Sequence, residues 1–253
     1  MEENKKNSQL FGLLGKNISY SFSRGYFTEK FRKEGLKNHK YVNFDIAEIT
    51  SFLEVVEKHK KDLVGMNVTI PYKLEIFNYL DKIDKEALKV GAVNTIKISK
   101  KGKLKGYNTD VYGFEKSLKP LLQKQHDSAL ILGTGGAAKA IAYVLNKLNV
   151  KYKFVSRNPK KKKEIHYIDI TEKKLKKYTL IINCTPLGTY PKVEEKPNIP
   201  YEFLTRDHLL YDLIYNPKET AFLSSGKERG AVIKNGLEML ELQAEKAWEI
   251  WNK

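Results

Sequence analysis

The sequence predicts an α/β protein of two lobes, the second of which contains a parallel sheet. Short apolar stretches alternate along the chain with stretches of helical periodicity. At 128–148 a strand, a glycine turn and the start of a helix follow one another. Because that unit begins only near residue 128, a whole α/β lobe precedes it, and a ligand cleft is expected between the lobes. The 253 residues are enough for two compact lobes.

Before residue 120 the patterns predict strands and helices in alternation. The predicted strands are 10–14, 41–44 and 63–68, and the predicted helices are 24–34, 49–59, 72–80 and 110–118. The third helix is entered through Pro71, a residue that the first turn of a helix tolerates. Residues 93–98 and 103–107, joined by a Lys-Lys-Gly turn, predict a β-hairpin.

The most informative stretch is the glycine turn that follows the apolar strand 129–132. Gly133 permits a tight turn, and Gly135 has no side chain to block a phosphate. Ala138 is small enough for the next helix to pack close to the strand, and the N–H groups of that helix start point at an anion. The pattern is of the dinucleotide-binding G-x-G-x-x-A type, although a glycine-rich turn can also simply connect two elements.

The residues after the second strand of this unit, 152–155, predict which dinucleotide binds. An NAD site usually has an Asp or Glu at this strand end to bind the ribose 2′-hydroxyl, and no acid stands there. Arg157 offers a charged fork for a 2′-phosphate instead, and Lys160 and Lys161 follow within reach. We therefore predict NADP(H) rather than NAD. The alternative is that the lysines 160–163 are only a solvated helix start.

The remaining elements continue the alternation. Residues 179–183 and 208–213 are further apolar strands, and 236–251 form a final helix. The apolar stripe of that helix is most simply core packing, and it comprises Leu237, Leu240, Ala244, Ala247, Trp248 and Trp251. The strand–helix alternation favours mainly parallel sheets.

The formal net charge of +16 raises the question of nucleic-acid binding. The excess is mostly lysine, spread through every segment. Nucleic-acid modules usually cluster the charge on one element and interleave aromatic or arginine side chains. We interpret the charge as a lysine-biased surface and expect no specific nucleic-acid partner.

Composition also bears on compartment and metals. No apolar run approaches the roughly 18 residues of a membrane span. Residues 1–9 are polar, and we expect a short disordered lead-in rather than a signal peptide. The single cysteine, Cys184, excludes an internal disulfide and favours a cytoplasmic location. The five histidines lack ligand spacing, so no metal site is expected.

Two short segments carry candidate acid–base chemistry. Asn67 and Thr69 alternate along a strand and share one face, and Lys73 follows just beyond Pro71. Such a lysine can give a proton to an oxyanion in a cleft, although a surface lysine is the simpler interpretation of this residue alone. Asp110 is either a helix cap or the partner that holds the Lys73 ammonium in place.

Two further segments suggest binding. Ser21 and Ser23 alternate, and their hydroxyls either grip a carboxylate or solvate a loop. Residues 183–188 end a strand where a nicotinamide ribose could lie. Cys184 within them is more typical of a small buried residue than of a reactive thiol.

Together these blocks resemble shikimate dehydrogenase, in the order and spacing of that family along nearly the whole chain. The matching blocks are 15–27, 67–73, 91–95, 108–110, 133–138, 183–188, 211–215 and 236–240 with Gln243. The Asn-Val-Thr-x-Pro-aromatic-Lys block at 67–73 is highly specific, whereas the glycine turn alone is not.

The resemblance implies NADPH-dependent, reversible reduction of 3-dehydroshikimate to shikimate in aromatic amino-acid biosynthesis. It implies a substrate lobe at 1–107, joined by the C-terminal helix 236–253, and a Rossmann-type NADP lobe at 108–235. Lys73 and Asp110 correspond to the catalytic pair. The expected substrate-binding residues are Ser21, Ser23, Asn67, Thr69, Lys73, Asn94, Asp110, Tyr215 and Gln243. The expected cofactor-binding residues are Gly133, Thr134, Gly135, Gly136, Ala137, Ser156, Arg157, Asn158, Lys161, Thr185, Leu213 and Gly236.

Some positions depart from the commonest family pattern. Tyr20 stands where His is usual and Arg24 where Pro is usual, and residues 16–17 and Thr189 also differ. These departures bear on substrate preference more than on the reaction. The alternatives are a quinate/shikimate dehydrogenase with broader substrate or NAD use, and an NADPH-binding regulatory protein without turnover. The chain is expected to be a monomer or a homodimer.

Overall fold

The computed structural model describes residues 8–19 and 21–253. Residues 1–7 of the lead-in predicted at 1–9 and the departure at Tyr20 lie outside the described residues, and Gln9 begins the first strand. The chain divides into two compact units, one with residues up to Thr109 and Ala244–Lys253, the other Asp110–Gln243. The sequence places these boundaries after residue 107 and before residue 236. The second boundary in the structure lies inside the C-terminal helix.

The first unit contains a six-stranded sheet in the order β2-β1-β3-β5-β6-β4. Its strands are β1 Gln9–Gly15, β2 His39–Asp45, β3 Leu63–Val68, β4 Lys82–Ile83, β5 Thr95–Ile98 and β6 Leu104–Tyr107. β1 pairs in parallel with β2 and β3, whereas β5 is antiparallel to β3 and β6. The predicted hairpin is present, and it makes this sheet mixed rather than mainly parallel.

The helices of the first unit are short. They are α1 Phe22–Lys33, α2 Phe52–Lys58 and α3 Lys85–Val90, with 3-10 helices at Ile49–Ser51 and Glu75–Tyr79. The α-helix predicted at 72–80 is wrong. Tyr72 and Ile76 are buried four residues apart, which gives the helical period, but they are joined by a single turn. The aromatic and Asn residues that follow lower helix propensity and leave only a 3-10 helix.

Two hydrophobic clusters form the core of the first unit. Alternate side chains of β1 belong to different clusters, since Phe11 and Leu13 pack in one and Leu14 in the other. The C-terminal residues Ala247 and Trp251 pack in the cluster of Phe11. The last turns of the C-terminal helix are therefore core of the first unit, as the apolar stripe predicts.

The second unit contains a sheet of six parallel strands in the order β12-β11-β10-β7-β8-β9. Its strands are β7 Ser128–Leu132, β8 Lys151–Ser156, β9 Glu164–His166, β10 Leu180–Asn183, β11 Leu209–Asp212 and β12 Val232–Lys234. Counted from β7, this is the 3-2-1-4-5-6 order of dinucleotide-binding sheets. The predicted α/β class with a Rossmann-type sheet is confirmed.

Helices of the second unit alternate with its strands along the chain. They are α4 Asp110–Leu118, α5 Gly136–Lys147, α6 Glu172–Lys177, α7 Ala221–Lys227 and the first part of α8 Leu237–Asn252. The helix start considered for lysines 160–163 is wrong, because that run is an exposed turn leading directly into β9. Within 8–19 and 21–253, the helices lack the combination of length and hydropathy that a membrane span requires.

Candidate active site and cofactor site

The glycine turn lies at the carboxyl end of β7, next to the point where the strand order of the second sheet reverses. Gly133 has φ 109°, and a Cβ there would lie 3.2 Å from the Cys184 carbonyl oxygen. Gly135 precedes α5, and a Cβ there would meet nothing within 4 Å. Open space thus faces the free N–H groups of a twelve-residue helix, as a phosphate requires.

The turn after β10 lies beside the glycine turn and is tightly hydrogen-bonded. Asn183 Oδ1 accepts from the Thr185 N–H at 3.0 Å and from Thr185 Oγ1 at 2.7 Å. Thr185 Oγ1 in turn accepts from the Leu187 N–H at 3.4 Å. The carboxyl ends of parallel strands are where α/β sheets bind ligands, so this turn holds Thr185 at the edge that would meet a cofactor.

Two other residues predicted to bind the cofactor approach each other after β11. The Gly236 N–H donates to the Ile214 carbonyl at 3.0 Å. A Cβ on Gly236 would lie 2.1 Å from the Leu213 carbonyl oxygen, so only glycine fits this close backbone approach. The structure therefore brings Leu213 and Gly236 together.

Burial raises the pKa of two groups near these turns. Burial raises the pKa of the Asp212 carboxyl to about 6, against the hydrogen bonds that it accepts. Burial, with a smaller effect of Asp212, also raises the pKa of the Cys184 thiol far above its usual range. Cys184 is therefore a protonated thiol near neutral pH, which fits the interpretation of a small packed residue.

The residues after β8 are exposed cations and amides. Arg157, Asn158, Lys160 and Lys161 are all exposed, and the Asn158 N–H donates to Ser156 Oγ at 3.2 Å. One acid near this turn was not predicted from the sequence. Glu164 Oε2 accepts from the Lys160 N–H at 2.7 Å, so a carboxylate lies beside the lysine run.

The first unit holds a buried cluster of amides and hydroxyls at the ends of β3 and β5. Tyr41 Oη donates to Asn67 Oδ1 at 2.8 Å, and Asn67 Nδ2 donates to Thr95 Oγ1 at 3.2 Å. Asn94 Nδ2 donates to Thr109 Oγ1 at 3.0 Å, and its Oδ1 accepts from the Thr109 N–H at 2.7 Å. Asn67 and Asn94 are thus fixed side chains, as residues that orient a ligand must be.

The two serines of the predicted carboxylate clamp differ in their contacts. Ser23 is buried and hydrogen-bonds the Tyr41 phenol, whose pKa burial raises far above its usual range. The buried Ser21 hydroxyl has no hydrogen-bond partner within 8–19 and 21–253. A buried donor without a partner is costly, so Ser21 Oγ is suited to a ligand oxygen.

The remaining predicted substrate residues belong to both units. Thr69 and Lys73 are half-buried around the turn after β3, where the Lys73 carbonyl accepts from the Val93 N–H at 2.9 Å. Asp110 and Gln243 are buried residues of the second unit. The half-buried Tyr215 belongs to the turn after β11. Since Lys73 and Asp110 belong to different units, their pairing stays a prediction.

Tyr41 and Asp212 organise the hydrogen bonds of these regions but were not predicted from the sequence. Tyr41 has no signal in the sequence beyond its place in an apolar strand. Asp212 has one, because a carboxylate that ends an apolar strand must find hydrogen-bond donors when it is buried. Among the described residues no group of three or more His, Cys, Asp or Glu side chains could hold a metal ion.

Known proteins resemble this chain along nearly its whole length. Residues 13–96 match the model of the shikimate dehydrogenase substrate binding domain. Over 249 residues the chain is 41% identical to the shikimate dehydrogenase (NADP(+)) of Clostridium botulinum, with 95% of each chain covered. The structure of a shikimate dehydrogenase in complex with NADP+ has a TM-score of 0.84 at 36% identity, over 96% of this chain and 90% of that chain. The shikimate 5-dehydrogenase of Thermus thermophilus in complex with NADP(H) and shikimate has a TM-score of 0.84 at 27% identity, over 96% and 93%.

Proposed function

Because this chain belongs to the shikimate dehydrogenase family, we propose that it catalyses the reversible, NADPH-dependent reduction of 3-dehydroshikimate to shikimate. The observation that carries this function is the extent of the similarity to an NADP(+) enzyme, which covers 95% of both chains and so includes both units. The family and the cofactor predicted from the sequence blocks are confirmed. The single cysteine fits our further proposal of a cytoplasmic enzyme.

The residues at the carboxyl edge of the second sheet fit NADP(H). The turn 133–137 leaves room and N–H donors for the pyrophosphate, and Thr185, Leu213 and Gly236 would hold the nicotinamide end. Ser156, Arg157, Asn158 and Lys161 would hold the adenosine end. The exposed Arg157 and Lys161 supply the positive charge that a 2′-phosphate needs. When bound, NADPH supplies a hydride to the ketone carbon of the substrate.

Arg157→Ala is expected to raise the KM for NADP+ by about tenfold to a hundredfold, because a charge-assisted hydrogen bond contributes about 1.5–3 kcal/mol. The KM for NAD+, which lacks the 2′-phosphate, should change little. Steady-state kinetics with both cofactors measure the two effects. Arg229→Ala is the matched control, since Arg229 is an exposed arginine at the amino end of β12, away from the carboxyl edge. Equal effects of Arg157→Ala on both cofactors would contradict the assignment.

The substrate-binding residues are proposed from the first unit and from three residues of the second unit, Asp110, Tyr215 and Gln243. Ser21, Ser23 and Tyr215 would bind the carboxylate, and the Ser21 hydroxyl, which has no hydrogen-bond partner among the described residues, supports this role. The remaining proposed residues would bind the ring hydroxyls, and they are Asn67, Thr69, Asn94, Asp110 and Gln243. The fixed orientations of Asn67 and Asn94 support hydrogen bonding that distinguishes one hydroxyl pattern from another.

Lys73 and Asp110 are proposed as the acid–base pair. Negative charge grows on the ketone oxygen during reduction, and the Lys73 ammonium stabilises it and donates a proton from Nζ. Asp110 holds the ammonium and a neighbouring substrate hydroxyl. In the reverse direction Lys73 takes the proton from the alcohol.

The proposal is tested by incubating the purified protein with shikimate or quinate, each with NADP+ or NAD+, and following the reduced nicotinamide by its absorbance. We expect rapid turnover with shikimate and NADP+ and much slower turnover with the other pairs. Comparable turnover with quinate or NAD+ would favour the broader quinate/shikimate alternative. NADPH binding without turnover of any pair would refute the enzyme and favour the regulatory alternative.

A further inference from the structure

Asp212 is a fully buried carboxylate at the carboxyl end of β11 that accepts three hydrogen bonds. Its Oδ1 accepts from Asn183 Nδ2 and from the Ile214 N–H, each at 3.0 Å. Its Oδ2 accepts from Thr220 Oγ1 at 2.6 Å. All three donors are neutral, and no salt bridge found in 8–19 and 21–253 involves Asp212. A buried carboxylate without a cation is costly, so its position calls for a functional reason.

The first of these bonds extends to the turn after β10. Asn183 donates to Asp212 through Nδ2, which leaves its Oδ1 facing the Thr185 N–H and hydroxyl. If the Asn183 side-chain amide were flipped by half a turn, its Oδ1 would face the Asp212 carboxylate, which is also an acceptor. Its Nδ2 would then face the Thr185 N–H, which is also a donor. Asp212 thus fixes the orientation in which Asn183 holds Thr185.

The second bond extends to the turn after β11. The Ile214 N–H donates to Asp212, and the Ile214 carbonyl accepts from the Gly236 N–H at 3.0 Å. Leu213, between Asp212 and Ile214, is pinned against Gly236 by the close backbone approach. One carboxylate therefore fixes the turns that carry Thr185 and Leu213.

The third bond anchors the carboxylate itself. Thr220 Oγ1 donates to Asp212 Oδ2 and accepts from the Leu223 N–H at 3.3 Å, as the N-cap of α7. Asp212 is thereby tied to a helix as well as to its own strand. Burial raises the pKa of Asp212 only to about 6, so near neutral pH the carboxylate is ionised and can only accept hydrogen bonds.

We propose that Asp212 is a positioning residue for the nicotinamide end of NADP(H). It fixes Thr185 and Leu213 relative to each other, so that the nicotinamide they hold is oriented for hydride transfer. The inference rests on the proposed function, since it assumes that these two residues hold the nicotinamide. The inference predicts that Arg157 and Asp212 have different effects within the cofactor site. Arg157 sets how tightly the cofactor binds, and Asp212 sets how well the bound cofactor is oriented.

The test is the variant Asp212→Asn, studied by single-turnover oxidation of NADPH with 3-dehydroshikimate and by steady-state kinetics. Asparagine keeps the size of the side chain but replaces one acceptor by a donor and removes the charge. A misplacement of about 1 Å can slow a reaction about a hundredfold. We expect the single-turnover rate and kcat to fall by about tenfold to a hundredfold, while the Kd for NADPH, titrated by fluorescence without substrate, changes less than about threefold.

Ser117→Ala is the structural control. Ser117 Oγ, on α4, lies 2.7 Å from Tyr211 Oη, and both residues are buried. Tyr211 directly precedes Asp212 on β11. Neither Ser117 nor Tyr211 is placed in the catalytic or binding machinery. Loss of the Ser117 hydroxyl should lower the melting temperature without changing kcat or KM. Equal falls in kcat for Ser117→Ala and Asp212→Asn, or a kcat of Asp212→Asn within about twofold of the natural protein, would overturn the proposal.

Thr220 provides a second pair of variants should Asp212→Asn fail to fold. Thr220→Val removes the hydroxyl that anchors Asp212, and Thr220→Ser keeps it. We expect Thr220→Val to lower kcat in the same sense and Thr220→Ser to restore it, and identical kcat values in the two would overturn the proposal. The natural protein is assayed first, because its failure to turn over refutes the proposed function, whereas a full rate in Asp212→Asn refutes only the role of Asp212.

Discussion

Lys73→Ala should lower kcat by about a hundredfold to ten-thousandfold while the KM for shikimate changes little, because a general acid contributes this much to rate. The expected loss is in kcat because the charge that Lys73 stabilises grows only in the transition state. Steady-state kinetics in both directions, with NADP+ saturating for oxidation and NADPH saturating for reduction, measure it. Lys89→Ala is the matched control, since Lys89 is an exposed lysine in the last turn of α3 of the same unit.

The same experiment, extended to Asp110, tests the proposed pair. If Asp110 acts by holding the Lys73 ammonium, then Asp110→Asn should cost little further activity once Lys73 is alanine, because residues that act as a unit are not additive. Additive losses would show that the two residues act separately. A loss confined to the KM for shikimate would show that Lys73 only binds the substrate.

The cofactor half of the site could be predicted because its signals are local. The turn at Gly133 needs glycine for its backbone and free N–H groups after it, and both requirements are met within six consecutive residues. The absence of an acid directly after β8 is also visible in the sequence. Glu164 is less apparent in the sequence, because its carboxylate meets the Lys160 N–H only where the lysine run folds into an exposed turn.

The short elements could not be predicted in the same way. α6 and α7 have six and seven residues, too few for an apolar period to stand out from the surrounding chain. Their stability comes from buried contacts such as those of Leu175 and Phe222, which depend on the whole sheet. The prediction of a helix at 72–80 was wrong for the opposite reason. There a single turn with two buried residues gave the apolar spacing of a helix, although no α-helix forms.

The hydrogen-bond partners of Asp212 and Tyr41 could not be predicted from the sequence either. Each side chain joins residues that are distant in sequence, and their donors and acceptors are identified only once the strands have been placed side by side. A sequence shows that a polar residue lies in an apolar strand, but not which partner satisfies it. Such positions are nevertheless worth testing, because a buried polar group must have its hydrogen bonds made.

Trp251→Ala is expected to lower the free energy of unfolding of the first unit by about 3–5 kcal/mol, the usual cost of truncating a buried aromatic side chain. The Trp251 ring is 4% exposed and lies 5.0 Å from the Phe11 ring and 5.4 Å from the Phe27 ring. Its Nε1 donates to the Ile96 carbonyl at 2.9 Å. Urea unfolding followed by near-ultraviolet circular dichroism measures the loss, and Asn252→Ala is the exposed neighbouring control.

The contact also explains why β3 carries a glycine at position 65, since a Cβ there would lie 2.2 Å from Trp251 Nε1. Gly65→Ala should therefore weaken the same contact from the other side, and combining it with Trp251→Ala should cost much less than the sum of the two. Trp251→Phe keeps most of the packing but loses the hydrogen bond to the Ile96 carbonyl, so an intermediate loss of about 1–3 kcal/mol is expected. Because the contact lies within the first unit, the unfolding of Asp110–Gln243 should not change. Equal losses in Trp251→Ala and Asn252→Ala would show that the end of α8 does not hold this core together.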